Sequence, residues 1–409
     1  MTINTGDTAF ILISSALVLL MTPALAFFYG GLVRRKNVLN TMMMSFGTMA
    51  VASILWVLIG YTLSFGSNVA GVIGSLEFLG LKGIDASSVT GTIPTFVFLA
   101  FQMMFAVITP ALITGSIAER MKFTALLLFV VLWSVVVYYP LAHMVWGPDG
   151  FLLKLGAIDF AGGNVVHISS GVSALVACLV LGRRKGHGVV KMTPHNVPFV
   201  LLGAGLLWFG WFGFNAGSAL AANGLAAHAF LTTNTAAAAA MISWMVIDMV
   251  TIGKPTAVGA ATGAVIGLVA ITPGAGFVPV WASIVIGLVV SPLCWLFISK
   301  IKPKLGYDDA LDVFGCHGIG GIWGGIATGL FASASVNGVD GLFFGNPMQL
   351  VNQLIAIGIT VAMAVVGTFL ILKLIGLFTK LRATPREEAD GMDGAAHHET
   401  AYPSFTGLD

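Results

Sequence analysis

An all-α membrane protein with about eleven spanning helices is the fold class this sequence predicts, and three observations predict it. Of the 409 residues 57% are hydrophobic and only 9% charged, with a mean hydropathy of +0.96, whereas a soluble domain carries roughly 25% charged residues. Apolar runs long enough to cross a bilayer recur along the chain between short breaks that are charged or rich in Gly and Pro. The basic residues in those breaks alternate. One set of loops carries Arg34, Arg35 and Lys36, then Arg120 and Lys122, then Arg183, Arg184, Lys185 and Lys191, then Lys254, then Lys300, Lys302 and Lys304. The other set carries only Lys82 and Lys154.

In chain order the expected spans are residues 8–30, 40–66, 92–117, 122–141, 162–182, 197–217, 225–251, 255–272, 277–299, 312–332 and 347–379. The first run spans and lacks a basic stretch before it, so it reads as a retained helix rather than a cleavable signal. By the positive-inside rule the basic loops face the cytoplasm, which puts the N-terminus outside and the polar tail inside, as an odd number of spans requires. The chain divides into a membrane domain over 1–379 and a cytoplasmic tail over 380–409. It is expected in the cell (inner or plasma) membrane, with lipid around it and no nucleic-acid partner. Cys178, Cys294 and Cys316 all lie in apolar runs without a CxxC, so neither a disulfide frame, a metal site nor a cofactor is expected. Many of the 51 glycines fall inside spans, where close helix packing is the ordinary reason for them.

Ionisable groups inside a membrane are rare and usually functional. His317, Gly321 and Gly325 recur every four residues along one stripe of the tenth span, and His167 with Gly171 repeats the arrangement in the fifth. The histidines are 150 residues and five spans apart. Five is odd, so a duplicated five-helix unit enters the membrane in opposite directions, and two inverted repeats plus one extra helix bring the histidines face to face near the midplane. A neutral histidine pair can share one ring proton, each ring fixing the other's tautomer.

Phe105, Phe214 and Trp146 stand among polar or small residues rather than in Leu/Val runs, and Trp146 and Ser218 fall at the outer ends of their spans. Single aromatics are more often core or interfacial belt than ligand. A ring face beside a hydroxyl nevertheless suits a small cation through cation–π attraction and one hydrogen bond. Asp159 reads as the N-cap of the fifth helix, with a substrate carboxylate as the alternative. Asp308, Asp309 and Asp312 read as dipole-matched residues before the tenth helix. Asp248 is expected to be paired within the bundle, and Glu119 with Arg120 as a local ion pair.

Six stretches resemble the ammonium transporter (Amt/Mep/Rh) family, bacterial or archaeal Amt type: Phe28–Asn37, Ala118–Phe123, Asp159–His167, Lys191–Pro198, Trp211–Ser218 and the run from Asp312 to His317 and its following glycine. The resemblance implies a trimer with one pore per subunit that transports ammonium and is not an enzyme. Trp146, Phe105, Ser218 and Asp159 resemble its outer recruitment site, Phe105 with Phe214 its gate, and His167 with His317 its pore histidines. The tail, with Gly391 and Asp393, resembles its regulatory region, which implies a PII-type (GlnK-like) signalling protein as partner. Ammonium would lose its proton near the gate and neutral ammonia would pass the histidines, with the proton travelling separately. The alternatives within the superfamily are a passive Rh-like ammonia channel and an ammonium sensor, though the tail holds no recognisable signalling module. A haem protein would present more histidines per helix, and no base singles out Ser169 or Ser170 as a protease nucleophile.

Overall fold

In lipid, backbone groups must be satisfied within the segment, so apolar runs of this length fold as helices. The computed structural model describes residues 2–402, and these form eleven helical rods in the expected order. They are α1 (Thr5–Leu32), α2 (residues 38–65), α3 (Thr95–Ile117), α4 (residues 123–146), α5 (Gly163–Leu181), α6 (Val197–Gly217), α7 (Gly224–Ile252), α8 (Ala257–Ile271), α9 (residues 280–305), α10 (residues 314–331) and α11 (Pro347–Phe378). Among the described residues nine helices are long and apolar enough to cross a membrane by length and composition. The two that fall short are α8, with 15 residues, and α10, diluted by glycine and histidine. Both are largely buried, so protein rather than lipid surrounds them.

Caps close the helix starts where orphan N–H groups would otherwise be left. Asn4 accepts from Asp7 N at 3.1 Å, Asn196 from Phe199 N at 3.0 Å, Asn223 from Ala226 N at 3.1 Å and Thr256 from Gly259 N at 2.9 Å. Thr256 in turn donates its hydroxyl, at 2.6 Å, to Asp248, whose partner is this hydrogen bond rather than a cation. The most extensive contacts run between α1 and α6, and α7 lies against α8 and α9. The eleventh helix crosses α5 and α10, outside the repeated unit, as expected.

Matching helices of the two halves share an irregularity. Both α4 and α9 contain a widened π-turn, at Ser134–Tyr138 and Phe297–Ile301, and both α5 and α10 begin with one, at Gly163–Ile168 and Phe314–Ile319. The histidines sit in the latter two turns.

One face of the bundle carries a network of ion pairs. Glu119 pairs with Arg34 at 2.7 Å and Arg184 at 3.1 Å, and Arg184 also pairs with Asp308 at 2.8 Å. This corrects the expected Glu119–Arg120 pair. Glu119 has a left-handed backbone, φ +69°, so the two neighbouring side chains diverge. The guanidinium of Arg120 instead donates to the Asp308 carbonyl at 2.6 Å. The Asp308 reading as a helix cap is corrected as well: its carboxylate is consumed by Arg184.

The tail packs on this same face. Pro385–Asp390 forms helix α12, opened by a Thr384/Glu387 capping box, and Met392–His397 forms α13. Between them Gly391 has φ +115°, and a Cβ there would stand 2.7 Å from Lys36 Cβ and O. Asp393 accepts from Asn40 N at 2.8 Å and Asn37 accepts from Met392 N at 2.8 Å, so both tail residues singled out in the sequence seat the tail on the start of α2. Residues 403–409 of the expected tail lie outside the described residues.

Candidate functional site

The site is built where α5 and α10 cross, and glycine decides how closely they do so. A Cβ on Gly171 would overlap the Gly318 backbone, and one on Gly321 would stand 3.1 Å from His167 Cβ. Each histidine helix thus receives the other at the glycine four residues past its own histidine. The result is a ring pair with Nδ1···Nδ1 3.2 Å, centroids 5.3 Å apart and planes within 17°. One Nδ1 must donate and the other accept, so the two rings hold opposite tautomers. Both are buried, and His167 Nε2 makes no hydrogen bond with a protein group among the described residues. Trp211 stacks on His167 at 5.4 Å, and its indole N–H is held by Thr272 at 2.9 Å.

The pair lines a narrow apolar cavity of about 20 Å³, room for about one water-sized molecule. Leu25, Ile108, Leu207, Phe214, Val265 and Val313 supply much of its wall. Toward the face opposite the tail lies a wider cavity of about 220 Å³, lined in part by Phe105, Trp146, Ser218 and Gln102. Phe105 belongs to the wider cavity and Phe214 to the narrow one. Their rings stand between the two, centroids 4.3 Å apart and planes tilted by 43°. Trp146 meets Phe105 edge to face at 5.9 Å. Ser218 donates its hydroxyl proton to the Phe214 carbonyl at 2.8 Å, which leaves the oxygen lone pairs to accept from a guest.

Asp159 does not line either cavity. Its carboxylate accepts from the backbone N–H groups of Gly162 (2.8 Å), Gly163 (2.6 Å), Asn164 (2.7 Å) and Val165 (3.3 Å), and its carbonyl accepts from Trp146 Nε1 at 2.8 Å. Burial pushes this carboxyl above its ordinary acidity range, against the pull of those four donors. Of the two readings in the sequence, the cap describes its contacts: it fixes the start of α5 and the Trp146 ring. Gly391 and Asp393 lie on the tail face, away from both cavities. Sequence reasoning missed the wall residues, because Leu, Ile and Val lining a cavity look like those of a core. It also passed over Thr262, which lines both the histidine cavity and a further cavity on the tail side.

The sequence matches the Ammonium Transporter Family over residues 9–402. It is 54% identical to the "Ammonium transporter" of Bacillus subtilis (strain 168) over 401 residues, 97% of this chain and 98% of that one. The crystal structure of Saccharomyces cerevisiae Mep2 superposes with a TM-score of 0.88 at 37% identity, covering 94% of this chain and 88% of that one. A structure titled "Sensor Amt Protein" superposes at 0.89 with 28% identity, covering 96% and 98%. The chain is a multi-pass membrane protein and belongs to the ammonium transporter family.

Proposed function

We propose that this chain carries ammonium across the cell membrane by taking the cation in at the Phe105/Trp146/Ser218 mouth, removing its proton and conducting ammonia past His167 and His317. The observation that carries the reading is the phenylalanine pair dividing a ring-and-hydroxyl mouth from an apolar cavity one small molecule wide. Aromatic faces attract a small cation and the Ser218 oxygen accepts one of its N–H groups. A charge moved into the dry cavity costs several kcal/mol or more. Giving up a proton at the gate avoids that cost, and the histidine pair then offers hydrogen bonds to the neutral amine. Potassium has no proton to give up, so the same barrier rejects it. The basic loops and the tail face belong to the cytoplasm on this reading, with the mouth outside and Asp159 holding its architecture.

The family resemblance further supports a homotrimer with a pore in each subunit, and a PII-type (GlnK-like) protein acting on the cytoplasmic face through residues 380–409. Gly391 and Asp393 are the positions through which the tail would couple to α2, because they seat it there.

The test is an ammonium pulse on liposomes carrying the purified protein, recording current together with an internal pH dye. An amine-specific current absent from empty liposomes is expected. Internal alkalinisation without current would replace this reading with the passive Rh-like ammonia channel. Binding with neither signal would favour a sensor.

A further inference from the structure

The two histidine helices share more than their histidines. Asp159 stands eight residues before His167, and Asp309 stands eight residues before His317. Both carboxyls are buried at the start of a π-turn, and each accepts backbone N–H groups of the turn it precedes. There the likeness ends. Asp159 uses both oxygens on backbone donors. Asp309 uses Oδ2 on Phe314 N at 2.8 Å, while Oδ1, fully buried, has no hydrogen-bond partner among the described residues.

We propose that Asp309 is the proton-holding group on the tail side of the pathway: its free Oδ1 takes the proton that the amine releases and hands it to solvent on the tail face. This rests on the separate proton transfer proposed above. In the step an O–H bond forms at Oδ1 as a ring N–H bond of the histidine pair, which carries the proton on from the gate, breaks, and the carboxylate returns when the proton passes to water. The Asp309 loop borders a tail-side cavity of about 480 Å³ through Asp312, and that cavity and the histidine cavity both touch Thr262. Lys302 joins Asp312 to Asp309, donating to the Asp312 carboxylate at 2.5 Å and the Asp309 carbonyl at 2.6 Å.

Charged groups facing Asp309 come from several elements. Lys302 on α9 and Arg120 after α3 favour its carboxylate, and Asp312 on its own loop opposes it. Arg184 neutralises Asp308. The remaining neighbours, Tyr29, Cys178, Tyr307 and Cys316, are phenols and thiols rather than carboxylates or cations. Burial, only partly offset by Lys302, places the Asp309 carboxyl at about 6, within reach of a cytoplasmic proton.

The experiment uses the full chain in liposomes, with ammonium-evoked current and labelled methylammonium uptake followed at internal pH from about 5 to 8, spanning the range in which a raised carboxyl titrates. For the unmodified protein, current should fall as internal pH drops through about 6, because a protonated Asp309 accepts nothing. Asp309→Asn keeps an acceptor for Phe314 N but cannot take the proton. It should lose current by about 100-fold, the size of one positioned acid–base group, while methylammonium uptake persists. Lys302→Met leaves the cap alone and should move the half-loss of current upward by about one pH unit, as loss of a nearby cation does. Should Asp309→Asn fail to fold, the Lys302→Met shift decides. Current and pH profile unchanged in Asp309→Asn, or an unshifted profile in Lys302→Met, would overturn the role of Asp309 and leave the transport reading standing. Uptake without current in the unmodified protein would overturn both this role and the separate proton route.

Discussion

The Asp159/His167 half and the Asp309/His317 half are built to one plan and finished differently. Each places an aspartate eight residues ahead of a histidine of the buried pair, opens the helix with a π-turn and receives the other helix on a glycine. On the side opposite the tail, four N–H donors saturate the carboxylate, and among the described residues it pairs with no cation. On the tail side, backbone donors reach only one oxygen of the carboxylate, a lysine and one further aspartate stand beside it, and its other oxygen has no hydrogen-bond partner among the described residues. The difference teaches that repetition of a fold does not repeat chemistry. A saturated carboxylate is a rigid strut, and an unsaturated one is a group that can change state.

The largest effect should come from removing the strut. Asp159→Ala leaves four backbone donors without their acceptor, at a cost of about 3 kcal/mol from unmade hydrogen bonds. Expressed as mispositioning of the Trp146 mouth, this is about 100-fold in ammonium uptake; uptake and thermal melting in detergent would check it. A melting point and uptake equal to the unmodified protein would show that the two halves are not distinguished as argued.

Next in size is His317→Ala, which strands His167 Nδ1 and widens the narrow cavity. Loss of one buried partner costs about 1–3 kcal/mol, so ammonia flux should fall by about tenfold. A potassium current should appear in the same liposomes, since the dry barrier is then wetter.

Gly391→Ala should disturb only the tail. A side chain at φ +115° against Lys36 carries about 1–3 kcal/mol of strain. Trypsin should therefore reach Arg382 and Arg386 about tenfold faster, with a smaller change in uptake. Unchanged cleavage would sever the tail from this glycine.

The smallest effect is a pair of opposed stability changes with pH. Asp308 is held below its ordinary range by Arg184 although burial resists it, so its contribution is present above about pH 4 and fades as pH falls further. Asp309 lies above its ordinary range through burial, so its effect has the other sign: between about pH 4 and 6 stability declines as pH rises. Melting of Asp308→Asn and Asp309→Asn across pH 3 to 8 would separate them. Asp309→Asn should be at least as stable as the unmodified protein at pH 7.

Much of the site was legible in the sequence because unusual residues in apolar surroundings announce themselves. His167, His317, Trp146 and Ser218 each break a hydrophobic run, and the structure brings Phe105, Trp146 and Ser218 to one cavity and the histidines to another. The wall of the narrow cavity was not legible, since apolar residues lining a cavity and filling a core obey one pattern. Glu119 was misread because sequence neighbours look like partners until a left-handed residue turns them apart.

Composition, run length and the alternation of basic loops by themselves determined an eleven-helix membrane protein, because lipid leaves the backbone few other solutions. Odd spacing of the histidine helices pointed to two opposed halves, and the family resemblance to the substrate. Only the tertiary structure decided what each carboxylate does. Asp159 and Asp309 occupy equivalent places in the sequence, and the number of donors that reach them depends on how each loop closes over its helix. Hydrogen bonds are set by position to within a few tenths of an ångström, a precision that spacing along a chain does not carry.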